Sequence, residues 1–266
     1  MDLFTTNDGT VINYRTTGEG EAIVMLHTAF DNLTIFNDIE SEFNDKYQVV
    51  LVDLRGHGYS DKKDYIHFAE YAEDIKQLLD YLYIDHCSFI GHEMGASIAA
   101  TIAARNPDMV KSLTLINPTL LNDMFPGERL YRKYAEKIRN WDENDQQKFL
   151  DSHLYYSKRK AKKQLKHMST TNDLLTKKER NAVKASFNDN RITDYLSQLD
   201  LPTLIIAGQH GERTTVVEAK EVGDYINNEV KFVVFDKSGL YPFSEEKEKF
   251  VTSVKHFLEN NLVKEK

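Results

Sequence analysis

A single cysteine, Cys87, and a single tryptophan, Trp141, stand in a chain of 266 residues. One thiol excludes an internal disulfide and any multi-thiolate metal site. Cys87 falls in an apolar run, where it reads as inert packing. No apolar run approaches the roughly 18 residues that a membrane helix needs. The opening MDLFTTNDGTVINY is acidic where a signal peptide would be basic and then apolar. A cytoplasmic protein with no membrane partner is therefore expected. An excess of basic residues is also lacking: 34 Lys and Arg against 42 Asp and Glu give a net charge of -8, which speaks against nucleic acid as a partner. What is present in quantity is core-forming material, with 41% hydrophobic residues, 14 Phe and 14 Tyr. That excludes a disordered chain and fits one large domain, or one domain with an insertion.

Short apolar runs at residues 22–27, 48–54, 87–91, 112–118, 202–208 and 231–236 have the character of strands covered on both faces. Helical periods lie between them at 68–82, 96–105, 216–227 and 245–260. This alternation predicts an α/β fold with a mostly parallel, doubly wound sheet, right-handed crossovers and helices on both faces. A site in such a sheet forms at the carboxyl ends of the strands. Residues 11–15 alternate and run into TTGEGE, which predicts a β-hairpin there. From about 120 to 200 the alternation stops. That stretch is polar and helical, carries Trp141, Tyr155, Tyr156 and the basic run SKRKAKKQLK, and shows no strand. It reads as a helical cap laid over the strand ends, which divides the chain into core (1–119), cap (120–200) and core (201–266). The basic run reads as a solvated helix face.

The stretch FIGHEMGAS at 89–97 joins a predicted strand to a small-residue helix through Gly-x-x-x-Gly. This is the layout of the nucleophile elbow G-x-S-x-G, with Glu93 at its centre in place of serine. Four further segments keep the same company. VMLHTAF is similar to a strand that ends in His-Gly and feeds an oxyanion-hole loop, with Thr28 in the glycine's place. VDLRGHGYSD is close to D-x-R-G-x-G-x-S. LPTLIIAGQHG is similar to the strand and loop that carry a triad acid, and SGLYPFSEE to the segment that carries a triad histidine.

On these motifs the sequence resembles the α/β-hydrolase superfamily, particularly its small capped members such as proline iminopeptidase-like, esterase and haloperoxidase-like proteins. The resemblance covers nearly the whole chain and implies the α/β-hydrolase fold. It also implies a Ser-His-Asp triad at positions that here hold Glu93, Leu240 and Gly211, and an alternative acid position that holds Asn117. The backbone N–H groups of Ala29 and Met94 occupy the family's oxyanion-hole positions, and they need no side chain to donate. Each changed centre sits in an intact frame. That pattern suits a hydrolase scaffold re-equipped by design as well as a natural specialist.

A serine hydroxyl needs an imidazole to take its proton, so serine-type acyl transfer is not expected. A carboxylate nucleophile, as in relatives that open epoxides, would form an ester and then lack the histidine that activates water. Proton abstraction asks less, because an elbow carboxylate can be a general base unaided. The leading expectation is therefore Glu93 as a base for elimination or isomerisation of a small apolar substrate. The second reading is a non-catalytic member that binds a small ligand or partner. Burial against Leu240, Phe30 and cap aromatics would raise the carboxyl pKa, by up to about 3–5 units when complete. The helix N-terminus at Met94 would oppose this by about 0.3–1 kcal/mol, or about 2 when partly buried.

Thr28, Phe30, Tyr155, Tyr241 and His210 are candidate pocket residues, against the plainer reading of His210 as a loop residue pointing away. His92 and His27 read as packing and backbone partners, and Asp53 and Arg55 as loop-fixing residues. No i,i+4 or H-x-H spacing suggests a metal site, and no cofactor is implied.

Overall fold

Eight strands make one sheet in the order β1-β2-β4-β3-β5-β6-β7-β8. This computed structural model describes residues 1–120, 125–162, 166, 174–188 and 192–262. The strands are β1 (Asp2–Thr5), β2 (Val11–Thr17), β3 (Glu21–Leu26), β4 (Tyr47–Val52), β5 (Cys87–His92), β6 (Val110–Ile116), β7 (Thr203–Gly208) and β8 (Val230–Phe235). β2 is antiparallel to β1 and to β4, and every other pairing is parallel.

The continuous apolar runs follow from burial on both faces. Along β3, Val24 and Leu26 enter one hydrophobic cluster with Val50, Val52 and Phe89, while Ile23 and Met25 enter another with Val49, Leu51 and Ile90. Successive side chains alternate across a strand, so each run feeds two cores. The first core is closed by α2 (Phe68–Tyr81), α3 (Met94–Arg105) and α8 (Val216–Asp224), through residues such as Leu78, Ile98 and Val222. The second is closed by α10 (Lys247–Leu262), through Phe250, Val254 and Phe257, with α1 (Asn37–Glu40) beside it and α9 (Pro242–Glu245) leading into α10.

The hairpin expected at TTGEGE is not there. β1 and β2 form the hairpin instead, around Asn7-Asp8-Gly9, where Gly9 takes φ 82° and its N–H donates to the Thr6 carbonyl. TTGEGE carries the chain from β2 past the start of β4, which lies between β2 and β3 in the sheet. A Cβ on Gly18 would collide with the Tyr47 and Asn44 carbonyl oxygens, and Gly20 has φ 111°. Its glycines serve a close crossing of backbones, not a two-strand turn. Helix boundaries also move: α3 begins at Met94, immediately on the elbow, and α8 stops at Asp224.

Between β6 and β7 the described residues hold α4 (Pro126–Ile138), α5 (Glu143–Asp151), α6 (Lys177–Ala185) and α7 (Ile192–Leu196), with no strand among them. Val183, Phe187, Ile192 and Leu196 join the cluster that contains α3, so the end of this insertion packs into the core as well as over it. In the basic run, Lys158 and Arg159 are exposed and Lys160 Nζ donates to the Glu245 carbonyl at 2.6 Å; residues 163–165 lie outside the described residues. Among the described residues no helix is long and apolar enough to cross a membrane.

The VDLRGHGYSD segment joins loops. Asp53 Oδ1 accepts from the Leu33 N–H at 2.7 Å, and Oδ2 accepts from Asn13 Nδ2 and the Tyr59 N–H at 2.8 Å each. Arg55 pairs with Asp74, Glu70 and Asp8. Asp53→Ala leaves three buried or part-buried donors without their acceptor, and a loss of about 3 kcal/mol is expected in urea denaturation. A variant as stable as the parent would remove Asp53 from this role.

Candidate functional site

The elbow is a steric construction. Glu93 adopts φ 42°, ψ -101°, a conformation that side chains seldom occupy and that surrounding structure must impose. Its N–H donates to the Ile116 carbonyl, and its own carbonyl accepts from the N–H groups of Ala96 and Ser97. Gly91 and Gly95 allow the approach: a Cβ on Gly95 would collide with the Leu26 carbonyl oxygen, and one on Gly91 with the Gly95 carbonyl oxygen. The turn thus lodges the Glu93 side chain, 1% exposed, between the ends of β3 and β6.

The carboxylate is held by side chains. Oε2 accepts from the Thr28 hydroxyl at 2.7 Å and pairs with Arg213 Nη2 at 2.9 Å, whereas Oε1 is buried with no hydrogen-bond partner. The N–H groups of Ala29 and Met94 do not hold it. Burial pushes the Glu93 carboxyl above the ordinary carboxylate range, and the Arg213 charge and Thr28 hydroxyl pull it back.

Arg213 is the residue that the sequence reading missed. It is 8% exposed, its guanidinium carbon lies 5.1 Å above the Phe125 ring, and its buried Nε has no partner. It follows Gly211 by two residues in the very loop where the resemblance placed an acid. A glutamate on the elbow and a basic residue in that loop are complementary charges, and that was the signal available.

Arg213 also lines a cavity of about 1010 Å³ between the strand ends and α4, α5 and α6. Ala29, Phe30 and Phe125 share its inner wall, and Leu130, Leu150 and Leu154 add apolar surface. Glu128, Glu143 and Asp151 are acidic and Arg180 and Lys184 basic contributions, so the lining is mixed rather than apolar. Of the expected pocket residues, only Phe30 lines this cavity. Thr28 lies behind the wall on Glu93. Tyr155 and Tyr241 stack on each other, with ring centres 5.6 Å apart and planes 14° apart, and are buried. His210 is exposed at the loop surface, with Nε2 on the Asp236 carbonyl and its ring against Tyr156.

The imidazoles of His27 and His92 both bond to backbone. His27 Nδ1 meets the Thr28 carbonyl at 2.7 Å and its Nε2 accepts from the Leu54 N–H. His92 Nε2 donates to the Leu240 carbonyl at 2.8 Å, and its buried Nδ1 has no partner. Burial pushes His27 down to about 4 and His92 to about 3, so both rings are neutral near pH 7. Asn117, at φ 45°, ties three strand-end loops: Nδ2 donates to the Gly239 and Leu240 carbonyls, and Oδ1 accepts from the Gly208 N–H. Leu240 is 1% exposed and its N–H donates to Leu154. A Cβ on Gly211 would stand 2.7 Å from the Thr214 carbonyl oxygen, so an aspartate there requires the loop to shift. Among the described residues no group of three or more His, Cys, Asp or Glu is placed to hold a metal ion.

Asp31 is a second buried carboxyl that the sequence did not flag. It is 1% exposed, Tyr241 donates to both its oxygens at 3.2 and 3.4 Å, and it lies within the electrostatic reach of Arg213 and Glu93. Burial pushes it up to about 8, against the pull of Arg213. It is neutral near pH 7, which leaves Glu93 the principal counter-charge of the guanidinium.

A family model described as the alpha/beta hydrolase fold matches residues 21–247. The chain belongs to the α/β-hydrolase fold family. Among curated relatives, a 2-(acetamidomethylene)succinate hydrolase of Mesorhizobium japonicum is 35% identical over 109 residues, which is 41% of this chain and 39% of that protein. The human protein named epoxide hydrolase 4 is 39% identical over 98 residues, covering 35% of this chain and 25% of its own length. The matches thus span well under half of these relatives. An esterase from Exiguobacterium antarcticum superposes with a TM-score of 0.83 at 20% identity, over 97% of this chain and 98% of that one, a likeness of fold.

Two outcomes are expected from this α/β-hydrolase site. Arg213→Gln leaves a buried carboxylate without its cation and should destabilise the protein by about 3–5 kcal/mol in urea denaturation, with Glu93→Gln/Arg213→Gln recovering most of the loss. Additive losses would mean that the pair is not coupled. Asp31 gives a pH dependence. The folded chain keeps its proton up to about 8, while an ordinary carboxyl loses it near 3.8, so unfolding releases a proton in that interval. Stability contributed through Asp31 therefore falls with rising pH, by up to about 1.4 kcal/mol per unit. Asp31→Asn should flatten the fall measured between these limits, and an unchanged slope would place the titration elsewhere.

Proposed function

We propose that the protein is a ligand-binding member of the α/β-hydrolase fold, in which Glu93 is the fixed counter-ion that holds the Arg213 guanidinium at the cavity wall. The observation that carries this reading is the order of the layers: Arg213 lines the cavity, and Glu93 stands behind it with one oxygen committed to Arg213 and Thr28. The relatives named above are hydrolases by description. The residues available here weigh against a serine-type relay, since the elbow offers no hydroxyl and the position that the resemblance gives to the triad histidine holds Leu240. A carboxylate ester formed at Glu93 would have no group to activate water for its release. Thr28, Glu93 and Arg213 serve one another, which supports a set of residues placed together rather than separate replacements in a hydrolase frame.

Glu93 as a general base is the second reading, favoured by the unpartnered Oε1 and the raised carboxyl pKa. It requires Arg213 to yield its place to the substrate. The two readings part in a rate assay on 5-nitrobenzisoxazole, an activated carbon acid. Under the binding reading, parent and Glu93→Gln agree within about twofold, and p-nitrophenyl acetate turns over at background. A drop of about tenfold or more in Glu93→Gln, with the parent rate rising as a carboxyl ionises, would install the base in its place.

A further inference from the structure

We propose that the cavity takes a small monocarboxylate against Arg213, and that its arrival drives a proton onto Glu93, so that binding is coupled to proton uptake. This rests on the ligand-binding reading above and adds the chemistry of the ligand.

The guanidinium sets the class of ligand. Arg213 is the cation at the inner end of the cavity, more than nine-tenths buried, with Nη2 on Glu93 and Nε without a partner. A guanidinium presents a planar fork of donors that matches a carboxylate edge. The Phe125 ring under its face and Phe30 beside it fit a flat apolar group attached to that carboxylate. Arg180 and Lys184 lie in the same lining and favour the approach of an anion. Glu128, Glu143 and Asp151, also in the lining, weigh against a doubly charged group such as a phosphate monoester. One negative charge with an apolar body is what this wall accommodates.

The proton follows from counting charges. With a ligand carboxylate in place, two anions share one buried guanidinium, and like charges in such a site cannot both remain ionised without cost. Glu93 is the member that burial already disposes to protonation, and its Oε1 has no donor to compensate a charge. The groups that act on it are Arg213 and Thr28 at bonding distance and, at longer range, Arg129, Glu218, Asp31 and Tyr241. Arg129 and Glu218 form an ion pair with each other, and Asp31 is neutral near pH 7, so neither supplies a replacement for the shared guanidinium. Once protonated, Glu93 no longer competes as an anion, and the guanidinium charge is left to the ligand carboxylate in the cavity.

Isothermal titration with phenylacetate and phenylacetamide, which share a shape and differ in charge, tests this in two buffers of different ionisation heat. For the parent near pH 7, phenylacetate should bind at least about tenfold more tightly than phenylacetamide. It should take up about one proton as it does so. Glu93→Gln, whose guanidinium has no competing anion, should bind phenylacetate at least as tightly and without proton uptake. Glu93→Gln/Arg213→Gln, which leaves no unpaired buried charge, should lose the preference. Equal affinities in the parent, or a preference that survives in the double variant, would overturn the carboxylate. Equal proton uptake in parent and Glu93→Gln would overturn the role of Glu93. Binding of phenylacetamide alone sinks the carboxylate and leaves the ligand-binding reading standing, whereas no binding of either compound to any variant sinks both.

Discussion

A buried carboxylate must be matched, and at the elbow of this protein the match is Arg213. Arg213 and Thr28 together hold the side chain that the strained turn presents. The turn still projects one side chain between the ends of two strands, but that side chain is locked to a cation instead of lying open to a substrate. Removing either partner would strand the other charge in a site from which solvent is almost excluded. The neighbouring groups would not compensate it: His27 and His92 are neutral, and Asp31 keeps its proton near pH 7.

The architecture that would support a hydrolytic relay persists as framework. Asn117 gathers the loops after β6, β7 and β8 by three hydrogen bonds, and His92 adds a fourth through the Leu240 carbonyl. Asp53 and Arg55 knit the loops on the other side of the sheet. None of these bonds depends on a nucleophile. The fold around the site is therefore held by polar contacts separate from the Glu93–Arg213 pair.

The sheet was legible because its signal is local and redundant. Six apolar runs separated by helical periods leave little choice but strands buried on both faces, and the D-x-R-G segment and the elbow glycines mark loops that only a few backbones can make. TTGEGE misled because glycine-rich turns look alike whether they join paired neighbours or cross over an intervening strand; only the position of β4 decides. Glu93 was found from its frame. Arg213 and Asp31 were not, since partnership across 120 residues of chain leaves no periodic trace, and the frame around Gly211 drew attention to a missing acid rather than to the base two residues on. Tyr155 and Tyr241 were placed in the pocket as aromatics near its loops, and their mutual stacking instead turns them into part of the core.

Arg213 lies two residues beyond the position at which the resemblance implies a triad acid. In the loop after β7, a Cβ at residue 211 would press on the Thr214 carbonyl, and the charge that reaches the elbow from this loop is positive. Serine at 93 and histidine at 240 would then face a cation where the imidazolium of a working relay needs an anion. An aspartate at 211 would require the Thr214 carbonyl, one residue beyond Arg213, to shift. The loop after β7 thus brings a positive charge, Arg213, to the elbow carboxylate.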